Sequence, residues 1–166
     1  MSSTATLPDE LHQAPAAGAQ GHWRALESLY ASAPINQLFR SALTISGEGL
    51  ARIAFDIEPA HFHAAGAAHG TIYFKMLDDA AFYAANTLVS DRFLLTTAFN
   101  LHFTAPVKAG RVVAEGRWIS GRRRVYVAEA RLVDAQGEEI GRGTGTFMKS
   151  RIPLSALPGY AVASAS

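Results

Sequence analysis

A long, almost entirely apolar helix, predicted over roughly residues 70–89, is the feature of this sequence that most constrains its fold. His69 and Gly70 lie where the helix begins, and Asp78 lies two turns further on, among alanine and aromatic residues. A carboxylate in such surroundings destabilises a fold unless it is paired or used. The helix therefore needs cover from the rest of the chain, and Asp78 needs a partner or a function.

Asp78 and its neighbour Asp79 have different positions around the axis of this helix. At about 100° per residue, Asp79 falls on the polar side with Lys75 and Asn86. There it is expected to face water and to pair with Lys75, four residues away. Asp78 is either a buried acid that bonds to a neighbouring strand or a functional carboxylate. It lies at the rim of the apolar side, which contains Phe74, Leu77, Ala80, Ala81, Ala84, Ala85 and Leu88.

The start of the helix is suited to a developing negative charge. Unpaired N–H groups and the positive end of the helix dipole stabilise an oxyanion. One such donor and one carboxylate are sufficient to hydrolyse an activated acyl group. Gly70 and Asp78, however, lie about 12 Å apart along one helix at 1.5 Å per residue. Two helices packed antiparallel about a twofold axis would bring them together, so we expect at least a dimer with two shared sites.

The remaining elements follow from hydrophobic periodicity and turn residues. An amphipathic helix is predicted over residues 22–31, with Trp23, Leu26 and Leu29 directed inwards. Short turns between successive strands indicate an antiparallel meander, and one long helix covering a face of that sheet gives an α+β fold. Two strands are predicted within residues 41–58, and four more over 93–107, 109–120, 123–134 and 138–149.

The domain organisation is expected to be simple. Residues 1–21, rich in Ala, Pro, Gly and Ser, are predicted to be a flexible N-terminal arm. Residues 22–150 are predicted to form a single domain, because a chain of 166 residues is long enough for one core. Residues 151–166 are predicted to be a C-terminal tail.

The sequence resembles the hotdog-fold acyl-CoA thioesterases, in particular the PaaI-like (phenylacetyl-CoA-thioesterase-like) subgroup of the 4-hydroxybenzoyl-CoA thioesterase superfamily. The resemblance rests on the H-G-T-x6-D pattern of His69, Gly70 and Asp78, followed by AAFYAAN. It continues through TTAFNLHFTAPVKAG and GRRRVYVAEARLVDAQGEEIGRGTGTF, and covers roughly residues 45–149. It implies an antiparallel sheet wrapped around one central helix, and a homodimer that assembles into a homotetramer.

The resemblance also implies roles for individual residues. Asp78 would be the catalytic carboxylate, as general base for water or as nucleophile. The backbone N–H of Gly70 would polarise the thioester carbonyl, and His69 would position that loop. Thr96, ten residues before Pro106, falls where the family often has a Ser or Thr that orients the water or the carboxylate.

This chain departs from the family pattern at two positions. Thr71 stands where the family usually has a second glycine, and is expected to contact substrate. His63 stands where many members have an Asn, six residues before His69, although Gly66 between them still fits. A histidine can donate or accept like an Asn side chain, but it also titrates near neutral pH.

Two further sets of residues are candidates for substrate binding. Arg122 and Arg124 follow a glycine turn and either contact the phosphates of coenzyme A or form a solvated hairpin end. Phe82 either lines a pocket for an aryl acyl group or belongs to the core. The same alternatives apply to its aromatic neighbours in the helix, Tyr73, Phe74 and Tyr83.

Other site types are disfavoured by the sequence. The glycines at 141, 143 and 145 precede no helix, so they fail as a dinucleotide motif and instead indicate close packing by another backbone. His61, His63 and His69 have no acidic residue nearby in sequence, so no metal site is predicted, and the proposed chemistry requires no cofactor. The absence of cysteine excludes disulfides, thiolate catalysis and cysteine zinc sites.

The partner and location follow from charge and from the N-terminal sequence. A net charge of +1 indicates neither nucleic-acid nor membrane-surface binding, and no apolar run is long enough to span a bilayer. The first residues have neither the basic nor the apolar region of a secretory signal, so a cytoplasmic location is expected. The expected partner is a small acyl-CoA molecule.

Two other functions compete with thioester hydrolysis. A non-catalytic hotdog module would bind acyl-CoA as a sensor or scaffold, but it would gain nothing from a desolvated Asp78. A hydratase of the same fold typically has a His five residues after its Asp. Here that position is Tyr83, which disfavours a hydratase.

Overall fold

The computed structural model describes residues 17–161. The helices in this range are α1 (Ala17–Ser32), α2 (Pro34–Phe39) and α3 (Gly70–Asn86). The strands are β1 (Ala42–Gly47), β2 (Leu50–Ile57), β3 (Arg92–Phe103), β4 (Gly110–Ser120), β5 (Val125–Val133) and β6 (Glu139–Pro153). Among the helices of these residues, none combines the length and apolarity needed to cross a bilayer.

The six strands form one antiparallel sheet in the order β1-β2-β4-β5-β6-β3, with α3 packed against it. This is the predicted α+β hotdog architecture. The predicted meander is correct for β4, β5 and β6 but wrong for β3, which lies at the sheet edge beside β6. The hydroxyl of Tyr73 donates to the carbonyl of Ala105 (2.9 Å) and accepts from the N–H of Val107 (3.0 Å). These bonds fasten the segment after β3 to α3.

Small residues let α3 lie unusually close to the sheet. Ala80, Ala81, Ala84 and Ala85 are fully buried. A Cβ atom added at Gly116 of β4 would lie only 2.0 Å from the carbonyl oxygen of Ala80, so no larger residue fits there. The helix is therefore held by backbone-to-backbone contact, which fixes the height of its polar side chains relative to the sheet.

The first helix covers another side of α3. Trp23 and Leu26 are buried as predicted, whereas Leu29 is half-buried and packs at the edge of the core. Helix α1 begins at Ala17, so residues 17–21 are helical and do not belong to the predicted arm. The rest of that arm, residues 1–16, lies outside the described residues.

The chain after residue 150 packs against the domain as far as it is described. Strand β6 continues to Pro153, and Leu154 is completely buried. The hydroxyl of Tyr160 lies 2.6 Å from Nδ1 of the buried His22 on α1. Residues 151–161 therefore differ from the predicted tail, because they contribute apolar and polar contacts to the core.

Two residues of α3 lie in environments opposite to those that the helix angle predicts. Asn86, expected on the polar side, is fully buried, and its amide bonds the carbonyl of Val89 (3.0 Å) and the N–H of Leu94 (3.2 Å). Phe74, expected in the core, is 42% exposed and meets Phe99 of the edge strand at 5.8 Å between ring centroids. The sheet curves around α3 and ends at β3. The exposure of a side chain on α3 therefore depends more on where the sheet ends than on the angle of that side chain around the helix.

Candidate active site

Asp78 is bound by the hydroxyl of Thr96. Thr96 Oγ1 lies 3.0 Å from Oδ1 and 3.3 Å from Oδ2 of the carboxylate. Thr96 belongs to the edge strand β3, where it pairs with Phe147 of β6, and Asp78 itself is half-buried. The structure thus places Thr96 against Asp78 at the β3 edge of the sheet. The family resemblance had implied that Thr96 orients either the water or the carboxylate.

The surroundings of Asp78 shift its proton affinity towards neutral pH. Burial raises the pKa of Asp78 from 3.8 to about 6, and the negative charge of Asp79 contributes in the same direction. The hydrogen bond from Thr96 and the positive charge of Lys75 oppose this rise. A general base with such a pKa is largely ionised at neutral pH yet still basic enough to accept a proton.

Asp79 is a structural residue, as predicted, but it does not face water. Its carboxylate pairs with Lys75 as expected and also accepts a hydrogen bond from Tyr30 of α1 at 3.2 Å. Nζ of Lys75 also donates to Oδ1 of Asn36 at 2.6 Å. The Asp79 side chain is only 22% exposed, because α1 and α2 cover the side of α3 that the helix angle assigned to solvent.

His69 caps the start of α3, and the backbone N–H of Gly70 is a donor that this cap does not use. Its Nδ1 accepts the backbone N–H of Thr71 at 3.1 Å and lies 3.0 Å from the hydroxyl of that residue. Gly70 is the first residue of the helix, and its N–H makes none of the hydrogen bonds found among residues 17–161. This N–H is therefore available to an oxygen of a ligand.

His63 and Gly70 line one cavity of about 370 Å³, together with Tyr73 and Phe103. Nδ1 of His63 accepts the backbone N–H of Ala65 at 3.0 Å. The ring proton is therefore on Nε2, which leaves a second donor near Gly70. The position where the family pattern has Asn is thus occupied by a side chain that can also donate.

A second cavity, of about 530 Å³, lies on the other side of the start of α3. His69, Thr71 and Ile72 form one of its walls, and residues from α2 and from the turn at 58–62 form the others. Thr71 therefore lies in a position to contact a ligand, as the sequence suggested. This cavity has no local sequence signal, because its walls come from three separate segments, at 38–40, 58–62 and 69–72, that only the fold brings together.

The backbone N–H of Gly70 and the carboxylate of Asp78 are too far apart within one chain to contact the same substrate group. Gly70 and Asp78 are separated by two turns of a regular helix, about 12 Å. Beside them the inner face of β3 is open, and Phe103 is 57% exposed. Leu95 on the same strand is also exposed. This apolar edge, with Phe74 of α3, is of the kind that a second subunit covers.

The remaining predicted substrate residues differ in their environments. Arg122 stacks on the ring of Trp118 at 4.4 Å and lies 3.6 Å from Glu48, so its charge is already engaged. Arg124 is exposed, and its guanidinium makes no ion pair or hydrogen bond among residues 17–161. Phe82 is buried between aromatic side chains of the core.

Two other sequence inferences can be compared with the structure. The glycines of β6 do allow close approach, but by a side chain: the ring of Phe99 lies across Gly143 and Gly145, where Cβ atoms would be within 2.6 Å of it. Within residues 17–161 no three acidic or histidine side chains are grouped closely enough to hold a metal ion. Tyr73, which fastens the segment around Pro106, was missed because no local pattern connects residues 32 positions apart.

Comparisons with known proteins agree with this architecture. Residues 65–140 match the family model of the thioesterase superfamily. The Escherichia coli PaaI protein, from the phenylacetic acid degradation operon, is similar in structure, with a TM-score of 0.75 at 17% identity, covering 81% of this chain and 97% of that one. A thioesterase from Haemophilus influenzae gives a TM-score of 0.69 at 15% identity, covering 76% and 88%.

A relative from Saccharolobus solfataricus, described only provisionally as an esterase, is 27% identical over 104 residues, covering 63% of this chain and 69% of its own. The family match and the shared hotdog fold confirm the resemblance that the sequence suggested. The family match and this relative support an acyl-thioester hydrolase activity.

Proposed function

We propose that this chain, a hotdog-fold relative of the PaaI-like thioesterases, hydrolyses acyl-CoA thioesters to a free acid and coenzyme A. The observation that supports this most is the environment of Asp78. Its carboxylate is bound by one neutral hydroxyl, has a pKa raised to about 6 by burial, and lies beside an open sheet edge. A purely structural acid would be paired with a cation, as Asp79 is with Lys75.

The reaction uses one donor and one base. The thioester carbonyl oxygen accepts the free N–H of Gly70, which stabilises the negative charge that develops on that oxygen. The carboxylate of Asp78 removes a proton from water as the water attacks the carbonyl carbon. The tetrahedral intermediate then breaks its C–S bond, and the proton on Asp78 passes to the departing thiolate. The alternative is direct attack by Asp78, which forms a mixed anhydride that water then hydrolyses.

Each active site is proposed to contain residues of two subunits. A twofold axis beside β3 would place two α3 helices side by side and antiparallel, so that the Gly70 end of one meets the Asp78 end of the other. The 12 Å separation within one helix and the exposed edge side chains Phe74 and Phe103 support this arrangement. We propose a homodimer that assembles further into a homotetramer.

Coenzyme A is proposed to extend from Gly70 towards the hairpin of the other subunit. Val125 pairs with Met148, and Met148 pairs with Leu95, so the hairpin end at Arg124 lies at the same end of the sheet as Thr96. In the twofold dimer that end meets Gly70 of the neighbouring chain. Arg124 is exposed and makes no ion pair or hydrogen bond within the described range 17–161, so it is the better candidate for a phosphate contact than Arg122.

The experiment that tests this function is a screen of the purified protein against short, medium, long and aryl acyl-CoA thioesters. Released coenzyme A can be measured with a thiol reagent without background, because the protein contains no cysteine. Turnover of at least one thioester that is lost in the Asp78→Asn variant supports a hydrolase. Tight binding of acyl-CoA without turnover would instead support the sensor or scaffold. A cytoplasmic location, consistent with the cysteine-free sequence, is proposed with it.

A further inference from the structure

Cationic side chains are concentrated at the end of the sheet that contains the β4–β5 hairpin. Strands β3 and β6 and the hairpin together supply this basic cluster, which consists of Arg92, Arg122, Arg123, Arg124, Lys149 and Arg151. Hydrogen bonds fix its arrangement. The N–H of Lys149 donates to the carbonyl of Arg124 at 2.9 Å, and the guanidinium of Arg92 donates to the carbonyl of Arg151 at 3.0 Å.

The basic cluster is only partly neutralised by acidic neighbours. Lys149 forms an ion pair with Asp91 at 2.8 Å, and Arg122 lies 3.6 Å from Glu48. The other four cations of the cluster form no ion pair with the residues of the range 17–161. Four positive charges thus remain at this end, although the net charge of the whole chain is only +1. The remainder of the chain has a negative net charge, so the positive field is strongest around the hairpin.

An apolar surface adjoins the basic cluster on the outer face of the sheet, away from α3. Side chains alternate along a strand, so Val125 and Val127 point away from the buried Tyr126 between them. Val125 pairs with Met148 of β6, and Val127 lies opposite the β4 bulge that contains Ile119. Ile119 is 44% exposed and Val125 is 42% exposed. These four outward-facing residues, without Tyr126, form the apolar row.

The width of the apolar row fits one α-helix. The row spans β4, β5 and β6, and neighbouring strands lie about 4.8 Å apart, so it is roughly 10 Å wide. A helix with its side chains is about 10–12 Å across, and an amphipathic helix binds through its apolar side. A second copy of this chain fits poorly, because its own basic cluster would meet the first. The surface therefore favours a helix with acidic residues beside its apolar side.

The apolar row is close to the proposed catalytic carboxylate. Met148 pairs with Leu95 of β3, and the next residue of β3, Thr96, donates to Asp78. A flexible arm that starts on the outer face can therefore pass around the edge strand to Asp78. Arg124 lies at the same end of the sheet, where it can bind a phosphate at the beginning of such an arm.

We propose that the basic cluster and the apolar row together bind an acidic carrier protein, whose phosphopantetheine arm delivers an acyl thioester to Asp78. This inference rests on the proposed thioester hydrolysis. Coenzyme A and such a carrier have the same phosphopantetheine arm, so one site accepts both. The phosphates of coenzyme A occupy only the cations, whereas the helix of a carrier also covers Val125 and Ile119. Water cleaves the C–S bond as before, and the products are the free acid and the carrier with its thiol.

The test compares one acyl chain on two thiols: octanoyl-CoA and the octanoyl thioester of a purified bacterial acyl carrier protein. The wild-type protein is expected to have a kcat/KM about tenfold or more higher for the carrier thioester, because charge attraction and apolar contact add to the binding of the arm. Raising NaCl from about 50 mM to about 500 mM should remove most of this preference, since salt screens exposed charges.

Variants of the surface should affect the carrier thioester selectively. Arg123→Glu should lower its kcat/KM by about tenfold and Val125→Ser by about fivefold, while octanoyl-CoA changes by less than about threefold. Arg24→Glu is the matched control, because it reverses an exposed charge on α1, away from the hairpin, and should leave the preference unchanged. Ile119→Ser replaces Val125→Ser if that variant does not fold.

Binding measured without turnover distinguishes failure of this inference from failure of the proposed hydrolysis. Isothermal titration of the Asp78→Asn protein with the phosphopantetheine-bearing carrier protein gives a Kd whether or not the wild-type protein is a hydrolase. Binding that Arg123→Glu and Val125→Ser weaken, and that Arg24→Glu does not, supports the docking surface even if no thioester is turned over. Absence of binding, equal weakening by Arg24→Glu, or binding of phosphatidylserine vesicles in place of the carrier would each overturn it.

Discussion

Thr96 Oγ1 donates to the carboxylate of Asp78 across the gap between the edge strand β3 and the central helix α3, at 3.0 Å. The hydroxyl is neutral, so it orients the carboxylate without supplying the positive charge that would hold its pKa low. One residue further along the helix, Asp79 has that positive charge in Lys75. The neighbours of these two adjacent carboxylates thus give them different chemical properties.

Replacing each carboxylate by its amide should give opposite patterns. Asp78→Asn should lower kcat for thioester hydrolysis by at least a hundredfold, about 2.7 kcal/mol, since the base or nucleophile is removed. Asp79→Asn should leave kcat within a few-fold but lower the free energy of unfolding by about 1–3 kcal/mol, because it leaves Lys75 partly buried without its counter-charge. Thiol release and urea unfolding of both variants measure this. Equal losses of activity in the two variants would contradict the role of Asp78.

The pH dependence of hydrolysis should follow the ionisation of Asp78. The base acts when deprotonated, so kcat/KM should rise with pH through about 6 and then level off. Thr96→Val removes a hydrogen bond that stabilises the charged carboxylate, so it should raise the pKa of Asp78 and move the rising limb to higher pH. The rising limb can be located by measuring kcat/KM, or the pre-steady-state rate, at about ten pH values between 4.5 and 9.

The neighbouring threonine provides the control for Thr96→Val. Thr97 on the same strand donates instead to the carbonyl of Thr146, at 3.0 Å, so Thr97→Val removes a hydroxyl from β3 without touching Asp78. Its profile should coincide with that of the wild-type protein. A limb that does not move in Thr96→Val, or that moves equally in both variants, would show that Thr96 does not set the ionisation of the catalytic group.

The helix start at Gly70 could be predicted from the local sequence, whereas a role for Thr96 beside the water or the carboxylate came from the family resemblance, because Thr96 and Asp78 lie on different elements. The environment of Asp79 could not be predicted in this way. Its exposure depends on α1 and α2, which cover that side of α3 through contacts between residues 49 and 39 positions apart. Periodicity within a helix shows which residues share a side, but it does not show what covers that side.

The same limit explains the misplaced edge strand and the missed cavity. Strand β3 pairs with β6 and not with β4, and the segment after it is bound at Ala105 and Val107 by the hydroxyl of Tyr73. Neither tertiary contact has a local signal. Arg40 takes a left-handed conformation that sequence rules assign to glycine. Both departures from local preference lie next to the proposed site, where function can outweigh local stability.

The arginines of the β4–β5 hairpin should differ in their contribution to substrate binding. Arg124→Ala should raise KM for acyl-CoA several-fold with little change in kcat, because a phosphate contact far from the reacting carbonyl binds the ground and transition states alike. Arg122→Ala should have little effect, since its guanidinium is stacked on Trp118. The check is a parallel assay with a truncated thioester that lacks the nucleotide. A similar increase in KM for both substrates in Arg124→Ala would mean that this arginine does not bind the phosphates.

The shared active site predicts that two inactive variants restore activity when mixed. Asp78→Ala lacks the carboxylate, and Gly70→Pro lacks the N–H proposed to bind the oxyanion. The structure makes Gly70→Pro a reasonable variant: residue 70 is the first helical position, where proline is favoured, and His69 before it has φ −67° and ψ 146°, which proline allows. An added Cβ would lie 3.2 Å from the Phe103 ring, so Gly70→Ala, which retains the N–H, controls for that crowding.

In a mixed dimer, one site receives an intact Gly70 from the Asp78→Ala chain and an intact Asp78 from the Gly70→Pro chain, while the other site has both defects. Random pairing makes about half of the dimers mixed, so roughly a quarter of wild-type activity should return in a twofold arrangement. The measurement is thiol release by co-refolded mixtures at fixed total protein, after sizing has shown that each variant folds and associates. Mixed dimers that are well folded but inactive, or an active wild-type monomer, would refute the shared site. Asp78 would then have to act with an oxyanion donor of its own chain, and the open edge at β3 would need another explanation.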